Sequence, residues 1–308
     1  MGQRVFVTGG SGFVGSAILQ ELSRRKIAAT ALVNRRNLPA AGGDVRSFKG
    51  DLFDSSSLEE GLKDCDAVIH LVGIILEKPK EGITFERMHV ESTRSIVQAA
   101  KRAGIRRFIQ MSALGVRPDA VSDYHKTKWR AEEIVRAGGL DWTIFRPSLI
   151  HGPGGEFMKM EARWARKQSP PFLFMPYFGA GIFGMGGAGL IQPVYVLDVA
   201  RAFVEALGNG KTIARTYPLA GKARLSWPQM HHIASRAIVG KQRLTLGVPA
   251  WYARLLTSVV PQALLPFNRD QIVMSQEDNT GNMAEFISNF GWEPAEFAAT
   301  LQEYVDKL

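Results

Sequence analysis

The sequence predicts an α/β fold, a doubly wound parallel sheet with a smaller, mainly helical C-terminal lobe. Three observations predict it. Short β-branched runs alternate with amphipathic helical stretches through the first half of the chain. A glycine-rich turn stands between the first of these runs and the first helical stretch. After Pro153 the alternation degrades, and from Trp227 onward the pattern is mainly helical.

Taken in order, the expected strands are RVFVT, AATALV, VRSFKG, DAVIHLV, RRFIQMS and WTIFRP. Each is a short apolar run, as strands buried on both faces of a parallel sheet require. Helical patterns fall between them, from Gly12 to Arg25, Ser55 to Leu62, Ile83 to Ala103 and Val121 to Ala137. Glu156 to Lys167 reads as a further helix and IQPVYV as a strand. A helix from Leu197 to Leu207 follows, and a last segment runs from Pro294 to Leu308. Six strand-helix alternations of this kind indicate a doubly wound sheet, whose ligands bind beyond the carboxyl ends of the strands.

The 308 residues are 45% hydrophobic and 22% charged, the balance of a globular protein long enough to bury a large core. One cysteine, Cys65, excludes an intramolecular disulfide and fits a reducing compartment, so a cytoplasmic location is expected. The glycine motif begins within ten residues of Met1, so no signal peptide is expected. Pro170 to Leu197 carries no charge, yet PPFLFMPYFGAGIFGMGGAG holds three prolines and six glycines and is a poor membrane helix. The net charge of +9 is spread over small clusters without a zinc-finger, basic-helix or RNA-binding signature, so no nucleic acid is expected. An anionic cofactor and solvated helix ends account for it, with an anionic membrane surface or acidic partner as the alternative.

VFVTGGSGFVGSAILQEL places Gly9, Gly12 and Gly15 after a strand and at the start of a helix; Gly10, Gly12 and Gly15 also spell GxGxxG. Glycines let the backbone turn sharply, approach a pyrophosphate and pack helix on strand, while the helix N-terminus offers free N–H groups. Thr8, Gly9, Gly10, Ser11, Gly12, Phe13, Val14 and Gly15 therefore form the expected dinucleotide loop of a Rossmann domain. Gly184, Gly186 and Gly189 repeat the spacing but lead into a strand instead of a helix, which marks a loop. After the second strand the chain reads Asn34, Arg35, Arg36, with no carboxylate before Asp44. Two guanidiniums suit a 2′-phosphate, so NADP is expected over NAD.

Tyr124 and Lys128 stand four residues apart, on one face of a helix. Together with TGGSGFVG, GDL at 50–52 and HLVG at 70–73, this pair resembles the short-chain dehydrogenase/reductase superfamily, in its extended or atypical branch. SALG at 112–115, RPSLIHGPG at 146–154 and QPVYVLDVARA at 192–202 resemble the group related to the 39-kDa-type accessory subunit of respiratory complex I. The resemblance covers nearly the whole chain, loosening after Leu244.

The resemblance implies that Asp51 and Leu52 flank the adenine and that His70, Leu71, Val72 and Gly73 pass beneath the cofactor. Lys128 would bind the nicotinamide ribose, Pro147 and Ser148 would lie near the nicotinamide, and Tyr124 would be the acid/base. Two departures stand out. Ala113 occupies the place of the usual oxygen-binding Ser or Thr, with Ser112 one residue early, and His89 stands for a supporting asparagine. Ser112 takes the role only if the strand bulges, since a one-residue slip points a side chain to the other face.

The expected domains are 1–155 plus 190–212 for the NADP-binding Rossmann unit, and 156–189 plus 213–308 for a substrate or partner lobe. In the uncharged stretch Phe172, Phe174, Met175, Tyr177, Phe178, Phe183 and Met185 suit either packing or an apolar ligand such as an isoprenoid, quinone or lipid-like ketone. Val248 to Arg269 reads as helix packing, with peripheral membrane or membrane-complex contact as its alternative. His231 and His232 are adjacent and diverge on a helix, so no metal site is expected. The readings that remain open are a dehydrogenase/reductase that reduces or oxidises a small hydrophobic carbonyl or alcohol, a non-catalytic NADPH-binding accessory or assembly protein of a membrane respiratory or quinone-biosynthesis complex, and a nucleotide-sugar epimerase or dehydratase.

Overall fold

The computed structural model describes residues 3–34, 38, 42–184, 186–187, 189–260, 265 and 267–308. Two compact units divide the chain. The first holds 1–147, 196–219 and 283–292; the second holds 148–195, 220–282 and 293–308.

The first unit is built on strands β1 (Arg4–Thr8), β2 (Ala28–Val33), β3 (Val45–Lys49), β4 (Ala67–His70), β5 (Arg107–Met111) and β6 (Asp141–Pro147). They match the six expected runs and pair in parallel. Helices α1 (Phe13–Arg24), α2 (Ser55–Gly61), α3 (Ser92–Arg102) and α4 (Asp123–Arg136) connect them. The helical stretch expected from Ile83 begins later, as a π-helical turn at Glu86–Glu91 that leads into α3. Phe6, Val68, Ile96, Phe108 and Ile144 are fully buried between sheet and helices, as the continuous apolar runs require.

The second unit contains β7 (Ile150–His151), α5 (Glu156–Ala165), β8 (Met175–Gly179) and β9 (Val194–Tyr195). The chain then returns to the first unit for α6 (Val196–Gly208) and β10 (Arg215–Leu219). Back in the second unit come α7 (Trp227–Val239), β11 (Thr245–Pro249), α8 (Ala250–Val259) and α9 (Arg269–Ser275). Finally α10 (Ala284–Phe290) belongs to the first unit and α11 (Phe297–Gln302) to the second. The α/β class, the doubly wound parallel sheet and the helical C-terminal region are as the sequence predicts.

Several details differ from the sequence reading, among them residues 148–155 and 190–195, expected in the Rossmann unit, which lie in the second unit. The main sheet has a seventh strand, in the order β10-β6-β5-β4-β1-β2-β3, so residues 213–219 lie with the first unit. Arg215 and Pro218 mask this strand in the sequence, but β10 is the sheet edge, where a proline is tolerated. Residues 283–292 also join the first unit, since Phe286 and Phe290 pack their rings on Tyr217. Of IQPVYV only Val194 and Tyr195 form a strand, because Val196 already starts α6.

The sheet order places β1 between β2 and β4. The chain therefore runs one way from β1 through β2 to β3 and the other way from β4, which opens a crevice beyond the carboxyl ends of β1 and β4.

Candidate cofactor and catalytic site

The crevice begins at the glycine turn. Gly9 has φ +77°, and a Cβ there would lie 3.2 Å from the backbone of Leu71 at the end of β4. A Cβ on Gly15 would lie 2.2 Å from the Gly9 carbonyl oxygen, so only hydrogen fits where α1 crosses the turn. Gly12 caps α1 without a side-chain hydrogen bond, and its own N–H bonds Gly9. The first-turn N–H groups at Phe13, Val14 and Gly15 thus lack intrahelical acceptors, the donor set an anionic phosphate takes. These residues fit a dinucleotide on geometry alone.

Below the turn the last residues of β1 and β4 are joined. Thr8 Oγ1 and His70 Nδ1 are 2.6 Å apart, and Leu71 N–H donates to the Thr8 carbonyl at 3.1 Å. Burial, with Lys128 adding to it, pushes His70 down to about 3, so its imidazole is neutral. Gly73 approaches α4 closely: a Cβ there would stand 2.8 Å from Lys128 Nζ.

Lys128 is only 2% exposed, and its Nζ donates to the Met111 carbonyl at the end of β5, at 3.2 Å. Burial lowers its pKa to about 8 against the opposing pull of Glu132. Tyr124 lies one turn earlier on α4. Solvent still reaches part of its surface, yet the protein around the phenol is dense enough that desolvation pushes it up to about 12. Its ring meets His89 edge-on at 5.3 Å and Phe85 edge-on at 5.9 Å, and Phe85 in turn stacks on the imidazole at 5.4 Å.

His89 joins backbone to helix. Thr127 Oγ1 can give its one proton to the Asp123 carbonyl at 2.8 Å. It then accepts from His89 Nδ1 at 2.9 Å, leaving Nε2 to accept the Ile74 N–H at 3.2 Å. Burial, chiefly, and Lys128 lower His89 to about 2, so the neutral ring is the form present. The segment after Gly73 is thereby tied to α4.

The structure gives Ser112 a different partner from the one expected. Its hydroxyl donates to Glu132 Oε1 at 2.5 Å. Glu132 is fully buried, and Arg146 grips both its oxygens at 2.8 and 2.7 Å while Arg136 adds a further bond. Ser112 is thus held in an ion cluster. Sequence reasoning missed this cluster, although Glu132 is four residues beyond Lys128 and so on its face of α4.

The other expected residues take varied places. Asp51 accepts the Phe53 N–H at 2.9 Å in an exposed turn beyond β3, next to buried Leu52. Val72 is partly buried, and Asn34 is exposed just after β2. Arg35 and Arg36 lie outside the described residues. Pro147 ends β6, and its carbonyl accepts from Leu114 N–H at 2.9 Å. Ser148 opens the second unit, where it bonds Asn279. In that unit Met175 is fully buried and Phe178 packs on the core, whereas Phe172 and Phe183 are exposed; Met185 lies outside the described residues. Among the described residues no helix is long and apolar enough to cross a membrane.

A family described as NAD(P)H-binding matches residues 9–162. The chain belongs to this NAD(P)H-binding family. Over 315 residues it is 26% identical to the mitochondrial NADH-ubiquinone oxidoreductase 40 kDa subunit of Neurospora crassa, covering 99% of this chain and 79% of that protein. It is 31% identical over 225 residues to the mitochondrial NADH dehydrogenase [ubiquinone] 1 alpha subcomplex subunit 9 of Arabidopsis thaliana, with 70% of this chain and 53% of that protein covered. A ceramide reductase of Caulobacter vibrioides is 33% identical over 152 residues, 49% of this chain and 47% of that protein. The chain thus spans about half the length of the last two relatives. The fold is that of a Thermotoga maritima UDP-glucose 4-epimerase, with TM-score 0.75, 17% identity and 99% and 98% of the two chains covered. Within the NAD(P)H-binding family the chain is an atypical short-chain dehydrogenase/reductase related to the complex I 39/40 kDa subunit, as its motifs indicate.

Proposed function

We propose that this NAD(P)H-binding protein is an NADP(H)-dependent reductase of a hydrophobic carbonyl compound, isoprenoid-, quinone- or lipid-like, with Tyr124 as proton donor and Lys128 as its electrostatic partner. One observation carries the reading. Tyr124 and a buried Lys128 share a face of α4 beside the carboxyl ends of β4 and β5. When bound, the reduced nicotinamide supplies a hydride to the carbonyl carbon. The phenol, held near 12, keeps its proton at neutral pH and delivers it to the carbonyl oxygen. The resulting phenolate is stabilised by the Lys128 ammonium, which at about 8 is still mostly charged at pH 7. His89 and Thr127 hold the Gly73–Ile74 backbone against this helix.

The preference for NADP rests on Arg35 and Arg36 and on the lack of an acidic residue at that strand end. A hydrophobic substrate is supported by the charge-free run 168–197 and by the likeness to a ceramide reductase. A nucleotide-sugar diphosphate would call for cationic partners that this run lacks.

A second reading has its own support. Ser112 is engaged by Glu132, Ala113 offers no hydroxyl, and an alignment over 99% of this chain is to a mitochondrial NADH-ubiquinone oxidoreductase subunit. On that reading NADPH stabilises an accessory protein without turnover. Spectrophotometric NADPH oxidation with long-chain ketones and quinones separates the two. Turnover with any of them supports the reductase. A rise in melting temperature with NADPH but no oxidation across the panel sinks it and leaves the accessory protein. In calorimetry NADPH binds more tightly than NADH, by about tenfold or more, and Arg35→Ala removes the difference. Equal affinities in the wild type contradict the cofactor assignment.

A further inference from the structure

Helix α8 in the second unit is amphipathic in the reverse of the usual sense. Its inward positions are the small residues Ala250 and Ala253, packed with Ile272 of α9. Its outward positions carry Trp251, Tyr252, Leu255 and Val259, all exposed. A helix at the surface of a water-soluble unit places its large apolar side chains inward. Trp251, Leu255 and Val259 recur every four residues and form one stripe, with Trp251 55% exposed.

The stripe continues onto a loop. Trp251 Nε1 donates to the Ile182 carbonyl at 3.2 Å. Ile182 and Phe183 form the tip of that loop and are 74% and 78% exposed. The loop is held down by backbone contact, since a Cβ on Gly179 or on Gly247 would meet the Gly184 carbonyl oxygen at 1.8 Å. The glycine spacing around Gly184, which imitates a nucleotide loop, here seats an apolar tip against α8. A contiguous exposed apolar surface of this kind marks an interaction site.

The charge around it selects the occupant. Residues 168–195 carry no charged side chain, and residues 206–269 contain no Asp or Glu. Within 220–269 stand seven cations, Lys222, Arg224, Arg236, Lys241, Arg243, Arg254 and Arg269. Arg254 lies on the exposed side of α8 next to Leu255. The next acid, Asp270, is on α9, which packs on the alanine side of α8. Tryptophan and tyrosine with aliphatic neighbours, on a helix that carries exposed Arg254 and no acid, match the boundary between acyl chains and anionic headgroups.

We propose that the outward face of α8, together with Ile182 and Phe183, docks on an anionic phospholipid bilayer surface. Trp251, Leu255, Ile182 and Phe183 enter the headgroup boundary, while Arg254 extends its charge to the headgroups. This is peripheral contact by a short helix lying in the interface plane.

Vesicle flotation of the whole protein tests it. Vesicles of phosphatidylcholine with about 30% phosphatidylglycerol should retain the protein at least about fivefold better than phosphatidylcholine alone, the difference shrinking in high salt. The variant Phe183→Ser/Trp251→Ser/Leu255→Ser should lose about tenfold in retention on the anionic vesicles, with NADPH affinity unchanged. Should that variant fold poorly, Arg254→Glu alone serves, and it should weaken retention severalfold. Absence of wild-type retention overturns the proposal and leaves the face to a protein partner. Equal retention on both vesicle types, or undiminished retention by a folded variant, overturns it as well.

Discussion

Lys128 is the residue on which the site turns, because its ammonium is held in a protein interior that disfavours its charge. Its place depends on Gly73, which leaves room for Nζ where any side chain would stand. In Gly73→Ala the new Cβ meets Nζ at 2.8 Å and Cε at 3.4 Å, atoms that can swing away from the Met111 carbonyl. The expected result is a loss of about tenfold in NADPH-dependent turnover, for a stability change under about 1 kcal/mol by thermal melting. A wild-type rate in Gly73→Ala would show that the ammonium position does not matter. Tyr124 and Lys128 were legible in the sequence because a spacing of four survives as a shared helix face. The Ser112–Glu132–Arg146 cluster was not, because it joins a strand end, a helix and a neighbouring strand that only the fold brings together.

At the scale of elements, the β1–turn–α1 unit was fully legible, since Gly12 and Gly15 are required by contacts with Gly9 and Gly10 a few residues away, even though Gly9 itself faces the distant Leu71. Gly15 is the position where the helix presses on the turn. In Gly15→Ala the Cβ would fall 2.2 Å from the Gly9 carbonyl oxygen and 2.7 Å from Gly10 Cα, both backbone atoms with little freedom to move. Overpacking of this kind costs about 1–3 kcal/mol. The variant should melt several degrees lower and gain no further stability from NADPH, as differential scanning fluorimetry would read. Full stabilisation of Gly15→Ala by NADPH would mean that the cofactor binds elsewhere. Strand β10 escaped the sequence reading because Pro218 argues against a strand unless its edge position is known, and edge position is a property of the assembled sheet. The short β7 was equally hidden, two residues being too few for any periodicity, whereas β9 was legible within the longer run IQPVYV.

For the whole molecule, the interleaving of two units along the chain was only partly foreseeable. The return of residues 283–292 to the first unit rests on rings packed about Tyr217, contacts far apart in sequence. Both units bury neutral histidines, and this couples stability to pH. Burial holds His70 and His151 down to about 3 and His89 to about 2, whereas an unfolded histidine titrates near 6.5. Below pH 6.5 the unfolded chain therefore binds more protons than the folded one, so stability falls as pH falls through that window. The loss reaches about 2 kcal/mol per histidine by pH 5, a large share of the stability of an ordinary domain. Denaturant midpoints measured from pH 7.5 to 5 should decline steeply below 6.5. A flat profile to pH 5 would mean that these imidazoles are not held neutral.

The central claim is that Tyr124 delivers a proton in an NADPH-dependent reduction. Its most direct test is Tyr124→Phe, which removes one oxygen from the helix face and leaves the ring packing on His89 and Phe85. NADPH oxidation with an apolar carbonyl substrate should fall by roughly a hundredfold or more, while calorimetric affinity for NADPH stays at the wild-type value. Undiminished oxidation by Tyr124→Phe, with NADPH still bound, would contradict it.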